Sequence, residues 1–354
     1  MPAVTEKLSG KLEERIRCPR CKSRLSVGGA HLSCEVCKAT YGIKRGKVTM
    51  FDLYIDDQPQ EAGRDPEQVW DREGFEKGYE AIGYHESGTE FEKVLGWPEE
   101  VSQYHFERVK QRMVDWVQPG EGHAILDVGC GAGYFLCLIR EKYVSQGFSP
   151  RIAGVDISAH QASFMAKRME KEGVLDAVAC LGNSEYLPFA DNTFDLVTCS
   201  EVLEHVRNPL RALSEMRRVL KPDGILNLST PSMTAETSWD RVLAPFVLPI
   251  KWLLGHKSDP KAGRGGYDVP WHPKELRRAF ESVGLEIRKF EQNGIIPHVH
   301  YLKFLPRVLV KPVVWMSEIA DRFFWFALKP LAWHLLVCAT KGEKKGEGHA
   351  RAGK

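Results

Sequence analysis

Four cysteines near the amino terminus, Cys18, Cys21, Cys34 and Cys37, form two CxxC pairs with twelve residues between them. Each pair can place two thiolates on one tight turn, and two such turns facing each other make a tetrahedral site for Zn²⁺. A closed four-thiolate site is structural: metal binding supplies folding free energy to a module too small to hold a core of its own. A second group of chemically capable residues lies further along. Asp127-Val-Gly129-Cys-Gly131-Ala-Gly133 ends an apolar run that begins at His123. Asp156 follows 29 residues after Asp127, then Asn183, Ser200 and the trio Glu201, Glu204 and His205. Glycines at alternate positions let a backbone approach a ligand closely. An acid at the start of that turn would repel a phosphate and serve a cationic amino group, which favours S-adenosylmethionine over a dinucleotide.

These residues need a frame, and the pattern around them supplies one. The runs His123–Val128, Arg151–Val155, Ala177–Leu181, Phe194–Cys199 and Ile225–Leu228 read as buried strands. Between them, Ser158–Glu172 and Pro209–Leu220 carry apolar residues at three- and four-residue spacing, and Pro222-Asp-Gly224 ends the second helix. Strands alternating with helices predict a doubly wound, mostly parallel α/β sheet with its ligand at the carboxyl ends of the strands. Asp127, Asp156, Asn183 and Ser200 all fall at such ends. Asp156 is placed to accept hydrogen bonds from ribose hydroxyls. The methyl group of a sulfonium is already activated, so the protein must mainly align acceptor, carbon and sulfur. A hydroxyl acceptor must also lose its proton, and His205 is the candidate base.

The segment 104–292 closely resembles the class I S-adenosylmethionine-dependent methyltransferases, of the type 11 kind. The resemblance rests on Ile125-Leu-Asp-Val-Gly-Cys-Gly-Ala-Gly-Tyr-Phe135, Gly154-Val-Asp-Ile-Ser158, Glu185-Tyr-Leu-Pro-Phe189, Phe194-Asp-Leu-Val197, Glu204-His205 and Val219-Leu-Lys-Pro-Asp-Gly224. It implies a seven-stranded Rossmann-like sheet, with Gly129, Gly131 and Gly133 around the methionine part of the cofactor. It also implies Asp156 and Ile157 beside the ribose and Asn183 and Ser184 beside the adenine. The spacing of Glu201, Glu204 and His205 is similar to that in ubiquinone-pathway O-methyltransferases and a small-RNA 3′-end methyltransferase family, where such residues bind a divalent cation. Mg²⁺ ligation is therefore one reading of the trio, beside helix capping and a place in the cofactor shell. Residues 16–51, including Leu25, Tyr41-Gly-Ile43 and Met50, resemble the small zinc ribbon that partners or is fused to methyltransferases.

The chain has 354 residues with 49 basic and 47 acidic side chains, a near balance that excludes a polyelectrolyte built for nucleic acid. Charge is unevenly spread: +7 over residues 1–51, −11 over 52–100 and +6 beyond. This predicts modules: a zinc ribbon over 1–51, an acidic linker and cap over 52–103 and a cofactor-binding core over 104–230. A lid insertion over 231–272, the rest of the core with an amphipathic insertion over 273–340, and a tail over 341–354 follow. In the core, Tyr104–Val117 is expected to cap the cofactor. The basic ribbon could meet RNA, a protein partner or the acidic segment. Nine cysteines without an apolar leader or an 18-residue apolar span point to a reducing, cytoplasmic setting. Aromatic, apolar and basic residues alternate over 297–329. That pattern suits either a cap on the core or peripheral contact with a membrane. His298 and His300 are further candidates for the acceptor pocket.

The leading expectation is O-methylation of a small apolar or lipid-linked acceptor. An RNA or tRNA methyltransferase gripping nucleic acid through the ribbon is the alternative, since ribosomal guanine methyltransferases also carry an amino-terminal zinc module. A non-catalytic, partner-binding protein built on the same fold is the third.

Overall fold

The computed structural model describes residues 12–55, 73, 99–235, 238–239, 241, 269–296, 307–323 and 325–342. Nearly all of the acidic 56–98 stretch, most of the 231–272 lid, and His298 and His300 lie outside the described residues, so the expectations placed on them are neither met nor refused.

Apolar runs become central strands because both of their faces are covered. All five residues of β5 (Ala124–Val128) and all four of β7 (Val178–Leu181) are buried. With β6 (Arg151–Asp156), β8 (Phe194–Ser200) and β9 (Leu220–Pro231) they run parallel. β11 (Ala332–Lys341) returns antiparallel to β9, and β10 (Leu285–Ile295) lies antiparallel on β11. β10 covers eleven residues because its whole length pairs with β11.

The helices between them are α1 (Glu99–Asp115), α2 (Tyr134–Ser145), α3 (Ala159–Lys171), α4 (Pro209–Val219) and α5 (Pro273–Ser282). Their starts are chemically marked. Ser158 Oγ accepts from the Gln161 amide at 3.3 Å, Asn208 Oδ1 accepts from the Arg211 amide at 3.0 Å, and His272 Nδ1 accepts from the Lys274 amide at 3.2 Å. Pro209 and Pro273 occupy the first helical turn, where a missing N–H costs nothing. Beyond β10 lie α6 (Arg307–Phe323) and the short α7 (Trp325–Leu328).

The expected seven-stranded sheet is instead an eleven-stranded one, in the order β1-β2-β3-β4-β7-β6-β5-β8-β9-β11-β10. The extra strands come from the amino-terminal module: β1 (Ser26–Gly28), β2 (His31–Ser33), β3 (Thr40–Lys44) and β4 (Thr49–Asp52). β4 pairs in parallel with β7, matching Phe51 to Cys180 and Asp52 to Leu181. The Leu53 amide continues this ladder to the Leu181 carbonyl at 2.9 Å. Residues 15–17 stitch a second seam along Pro188–Ala190, including the Arg17 amide to the Pro188 carbonyl at 2.9 Å. Phe51 and Phe189 are fully buried within the same apolar cluster, and Phe189 meets Phe194 edge-on with 5.0 Å between ring centroids. The module shares one core with the methyltransferase-like part.

The basic charge of the module is partly spent on this seam. Lys22 Nζ lies 2.8 Å from Glu215 Oε2 on α4, and the same carboxylate takes the Arg218 guanidinium. Burial pushes the Lys22 ammonium below its usual range, with Glu215 opposing.

Candidate functional site

The carboxyl ends of β5 to β9 frame a crevice whose first half is built from backbone. Gly129, Gly131 and Gly133 all have positive φ. At Gly129 a Cβ would sit 2.2 Å from Val202 Cγ2, so the turn after β5 and the turn after β8 touch where only a glycine fits. The Gly129 and Cys130 amides both donate to the Val155 carbonyl, at 2.7 and 3.1 Å. Asp156 braces the same turn from β6: one carboxylate oxygen accepts from the Gly131 amide at 2.8 Å and the other from the Ser158 amide at 2.9 Å. Ile157 lies between the two residues so joined.

Asp127 is buried at the end of β5, where Thr198 Oγ1 donates to it at 2.7 Å. Burial pushes its carboxyl up to about 7; Thr198 and Lys110 pull the other way, and the neighbouring Asp156 adds to the rise. A group that brings positive charge to this corner relieves that penalty. Asn183 follows β7 and caps the turn Ser184–Tyr186, its Oδ1 accepting from the Glu185 amide at 2.9 Å. The Glu185 carboxylate in turn accepts from the Asn208 amide at 3.1 Å, and Arg211 stacks 4.1 Å above the Tyr186 ring.

Gln161 was absent from the sequence-based candidates. It is fully buried in the first turn of α3, neither side-chain polar atom has a hydrogen-bond partner, and a Cβ on Gly131 would lie 3.8 Å from its Oε1. A buried amide left unpaired beside a glycine turn is costly. It fits a site that awaits a polar ligand, and the glycine turn with its two acids suits a cofactor that is cationic at one end and a nucleoside at the other. Within an amphipathic helix pattern, Gln161 had no signal beyond its place just after Asp156.

The second half of the crevice is built from side chains. Ser200, at the end of β8, is 3.0 Å from Ser229 Oγ on β9, which also donates to Glu201 Oε1 at 2.7 Å. The other Glu201 oxygen lies 3.3 Å from His334 Nδ1 on β11. Burial alone would raise the Glu201 carboxyl, but His334, Ser229 and His205 together hold it below its ordinary value. Glu201 also adopts φ of 56°, an uncommon conformation for a side chain of its kind. His334 is a residue the sequence pattern hid, since it sits in an apolar strand.

Glu204 is buried and accepts from Thr230 Oγ1 at 2.9 Å, while its other oxygen is 3.8 Å from His205 Nε2. Glu201 and Glu204 thus take different partners, Ser229 and His334 for the first and Thr230 for the second, while His205 faces Glu204. Among the described residues, the four cysteines are the only group of three or more metal-capable side chains whose ligand atoms all lie within 4.8 Å of one another. The structure gives the expected Mg²⁺ set no such gathering.

At the opposite edge, Cys18 Sγ is 3.5 Å from Cys37 Sγ, and Cys21 Sγ is 3.4 Å from Cys34 Sγ. A tetrahedron with Zn–S bonds of ~2.3 Å has sulfur–sulfur edges of roughly 3.8 Å, so the donor set fits Zn²⁺. Lys22 and Lys38, each directly after a CxxC pair, take positive φ, and their amides donate back to the Cys18 and Cys34 carbonyls at 2.8 and 2.9 Å.

Comparison with known proteins agrees with this geometry. Residues 126–228 match the methyltransferase domain family. The demethylmenaquinone methyltransferase of Bacillus velezensis is 30% identical over 221 residues, which are 61% of this chain and 88% of the relative. That of Bacillus cereus is 30% identical over 217 residues, 60% of this chain and 85% of the relative. The chain belongs to the class I S-adenosylmethionine-dependent methyltransferases. Among solved structures, a chain of the complex between the Haloferax volcanii Trm112 methyltransferase activator and a methyltransferase superposes with a TM-score of 0.49. It is 18% identical and covers 77% of this chain and 99% of its own. No helix among the described residues is long and apolar enough to cross a membrane.

Proposed function

We propose that this methyltransferase acts on a small apolar or lipid-linked acceptor, with oxygen as the receiving atom. The observation that carries the acceptor class is the likeness to demethylmenaquinone methyltransferases over most of their length, since their name denotes a prenylated quinone acceptor; the choice of oxygen rests instead on the Glu201–His334 contact, a carboxylate and an imidazole able to take a hydroxyl proton. The apolar surroundings support it. Ala235, Ile296 and Trp333, at the ends of the strands that border the acceptor half, cluster with Val101, Tyr104 and Val310, and Trp239 packs on them.

In this reading the crevice divides its labour. The Gly129–Gly133 turn and Asp127 hold the methionine end of the cofactor, Asp156 and Ile157 the ribose, and Asn183 and Ser184 the adenine, with Gln161 added beside the turn. S-adenosylmethionine supplies an electrophilic methyl group when bound. Ser200 and Glu201 stand next to the glycine turn through Val202, so an acceptor lodged against β8 and β9 lies within reach of the cofactor. The Glu201–His334 pair, or His205 beside it, takes up the acceptor proton as the new bond to carbon forms. Cys18, Cys21, Cys34 and Cys37 hold a structural Zn²⁺ far from this chemistry.

The test is incubation of the zinc-loaded protein with isotopically labelled S-adenosylmethionine and, separately, prenylated hydroquinones and bulk RNA. Label recovered in the lipid extract, and released by ether cleavage, supports the proposal. Label on a ring carbon keeps the acceptor class and overturns the receiving atom. Label confined to RNA overturns the acceptor class.

A further inference from the structure

Helix α6 packs on the described residues through one face and leaves an apolar face exposed. The inner face carries Val310, Ser317 and Asp321, seven and then four residues apart. Val310 and Ser317 are buried. The Asp321 carboxylate accepts from Tyr104 Oη and from the Ile295 amide at 3.2 Å, and it pairs with Arg108 at 3.2 Å. These contacts fix the helix on α1 and on the end of β10.

The outer face carries Val308, Pro312, Trp315, Met316, Ile319 and Phe323, an i, i+4, i+7, i+8, i+11, i+15 pattern that aligns them in one stripe. Val308 is 77% exposed, Trp315 62%, Met316 63% and Phe323 61%. Single exposed apolar residues are ordinary, but a continuous stripe four turns long marks an interaction surface.

The charge beside the stripe decides what it meets. Lys311 and Arg322 are exposed along one margin, with Glu318 between them. Among the described residues, Lys311 has a loose partner in Glu100 at 3.8 Å, and Asp321 is turned inward and paired with Arg108. Residues 303–329 hold five basic side chains (Lys303, Arg307, Lys311, Arg322 and Lys329) against those two acids. A seventeen-residue helix is about 25 Å long, too short to span a bilayer even before Pro312 interrupts it. Aromatic and sulfur side chains flanked by cations suit the boundary between lipid headgroups and acyl chains.

We propose that α6 lies flat on an anionic lipid bilayer, with Val308, Trp315, Met316 and Phe323 entering the headgroup boundary and Lys311 and Arg322 meeting lipid phosphates. The inference stands on the helix and not on the identity of the methyl acceptor. The helix also borders the crevice through its inner face, however. The Ile295 amide that Asp321 holds belongs to the β10 residue paired with Ala332, two positions before His334, so α6 borders the acceptor half.

Flotation of the full-length, zinc-loaded protein tests this, using vesicles of phosphatidylcholine alone and of phosphatidylcholine mixed with phosphatidylglycerol. The wild type floats with the mixed vesicles and much less with the neutral ones. Trp315→Ser combined with Met316→Ser weakens that binding roughly tenfold or more. Lys311→Gln with Arg322→Gln weakens it roughly thirtyfold, at about 1 kcal/mol per cation near an anionic surface. Leu175→Ser removes an equally exposed apolar side chain elsewhere and leaves flotation unchanged. All variants keep the wild-type thermal midpoint and cofactor affinity, which separates a lost docking face from a lost fold. A wild type that binds neither vesicle, or α6 variants that float like it, overturns the proposal. So does a concentration-dependent dimer that Trp315→Ser dissolves while vesicle binding is absent, because the face then joins two copies of the chain.

Discussion

The two halves of the crevice are built on different principles. Around β5, β6 and β7 the parts are backbone amides, glycine conformations and carboxylates that brace them, all within a few residues of a strand end. Around β8, β9 and β11 the parts are side chains that meet across long stretches of chain, such as Glu201 and His334. The first half fixes a shape that a single ligand can fill. The second half fixes a chemical environment, with a half-buried carboxylate, a histidine and two hydroxyls in contact, while its apolar walls come from other elements. A fold that methylates different acceptors with one cofactor has reason to keep these halves separate.

The comparison breaks most severely if the cofactor half loses its outer support. Phe51 bridges the amino-terminal module to β7, and Phe51→Ala removes a fully buried ring at the seam. A loss of about 3–5 kcal/mol is expected, read as one cooperative shift in chemical denaturation. With zinc held by the four cysteines as proposed, its chelation is expected to act in the same direction, lowering the midpoint of the whole protein because the module and the sheet share a core. A separate low-temperature transition for the module, with the remainder unaffected, would show that the seam does not couple them.

Asp156→Ala comes next. It strips the acceptor from two backbone amides, each worth about 1.5–3 kcal/mol when the acceptor is charged, and it removes the proposed ribose contact. Calorimetry is expected to show S-adenosylmethionine affinity falling a hundredfold or more. A change of only a few-fold would place the cofactor elsewhere.

The acceptor half is expected to respond in turnover and not in cofactor affinity. Glu201→Gln and His334→Gln each slow methyl transfer by about a hundredfold. If the two act as one unit, the double variant is barely slower than either single one. Cofactor binding that weakens in step with turnover would erase the division between the halves.

What could be read from the sequence follows the same division. Asp127, the glycines and Asp156 were legible because a strand, a turn and a helix start lie consecutively, and local residue type determines them. Alternating strands and helices also revealed the parallel part of the sheet. His334 was hidden because it stands in the apolar run Ala332–Ala339 and acquires meaning only when β11 folds beside β9 and places it next to Glu201. The pairing of β4 with β7 was hidden for the same reason: strand registers across more than a hundred residues leave no local mark. The cysteine spacing revealed the module, while its docking depends on Phe51 and Lys22, neither of which is marked by a motif.

Asp127 offers the finest test, because it ties the cofactor half to pH. Its carboxyl is raised to about 7 by burial, whereas an unfolded aspartate titrates near 3.9. Between about pH 4 and pH 7 the folded, ligand-free protein therefore holds a proton that the unfolded chain has lost. Its stability from this group falls as pH rises through that window and levels off above it. A cation beside Asp127 favours the ionised form, so cofactor binding releases the proton and affinity climbs as pH approaches and passes 7. Asp127→Asn keeps the shape and the Thr198 neighbour but cannot ionise. Thermal midpoints of the variant should lose the decline between pH 4 and 7, and calorimetry should show affinity about tenfold weaker at pH 8 and nearly flat with pH. A variant that still shows the full pH dependence of binding would assign it to Asp156, the other acid of the turn, and leave Asp127 a structural residue.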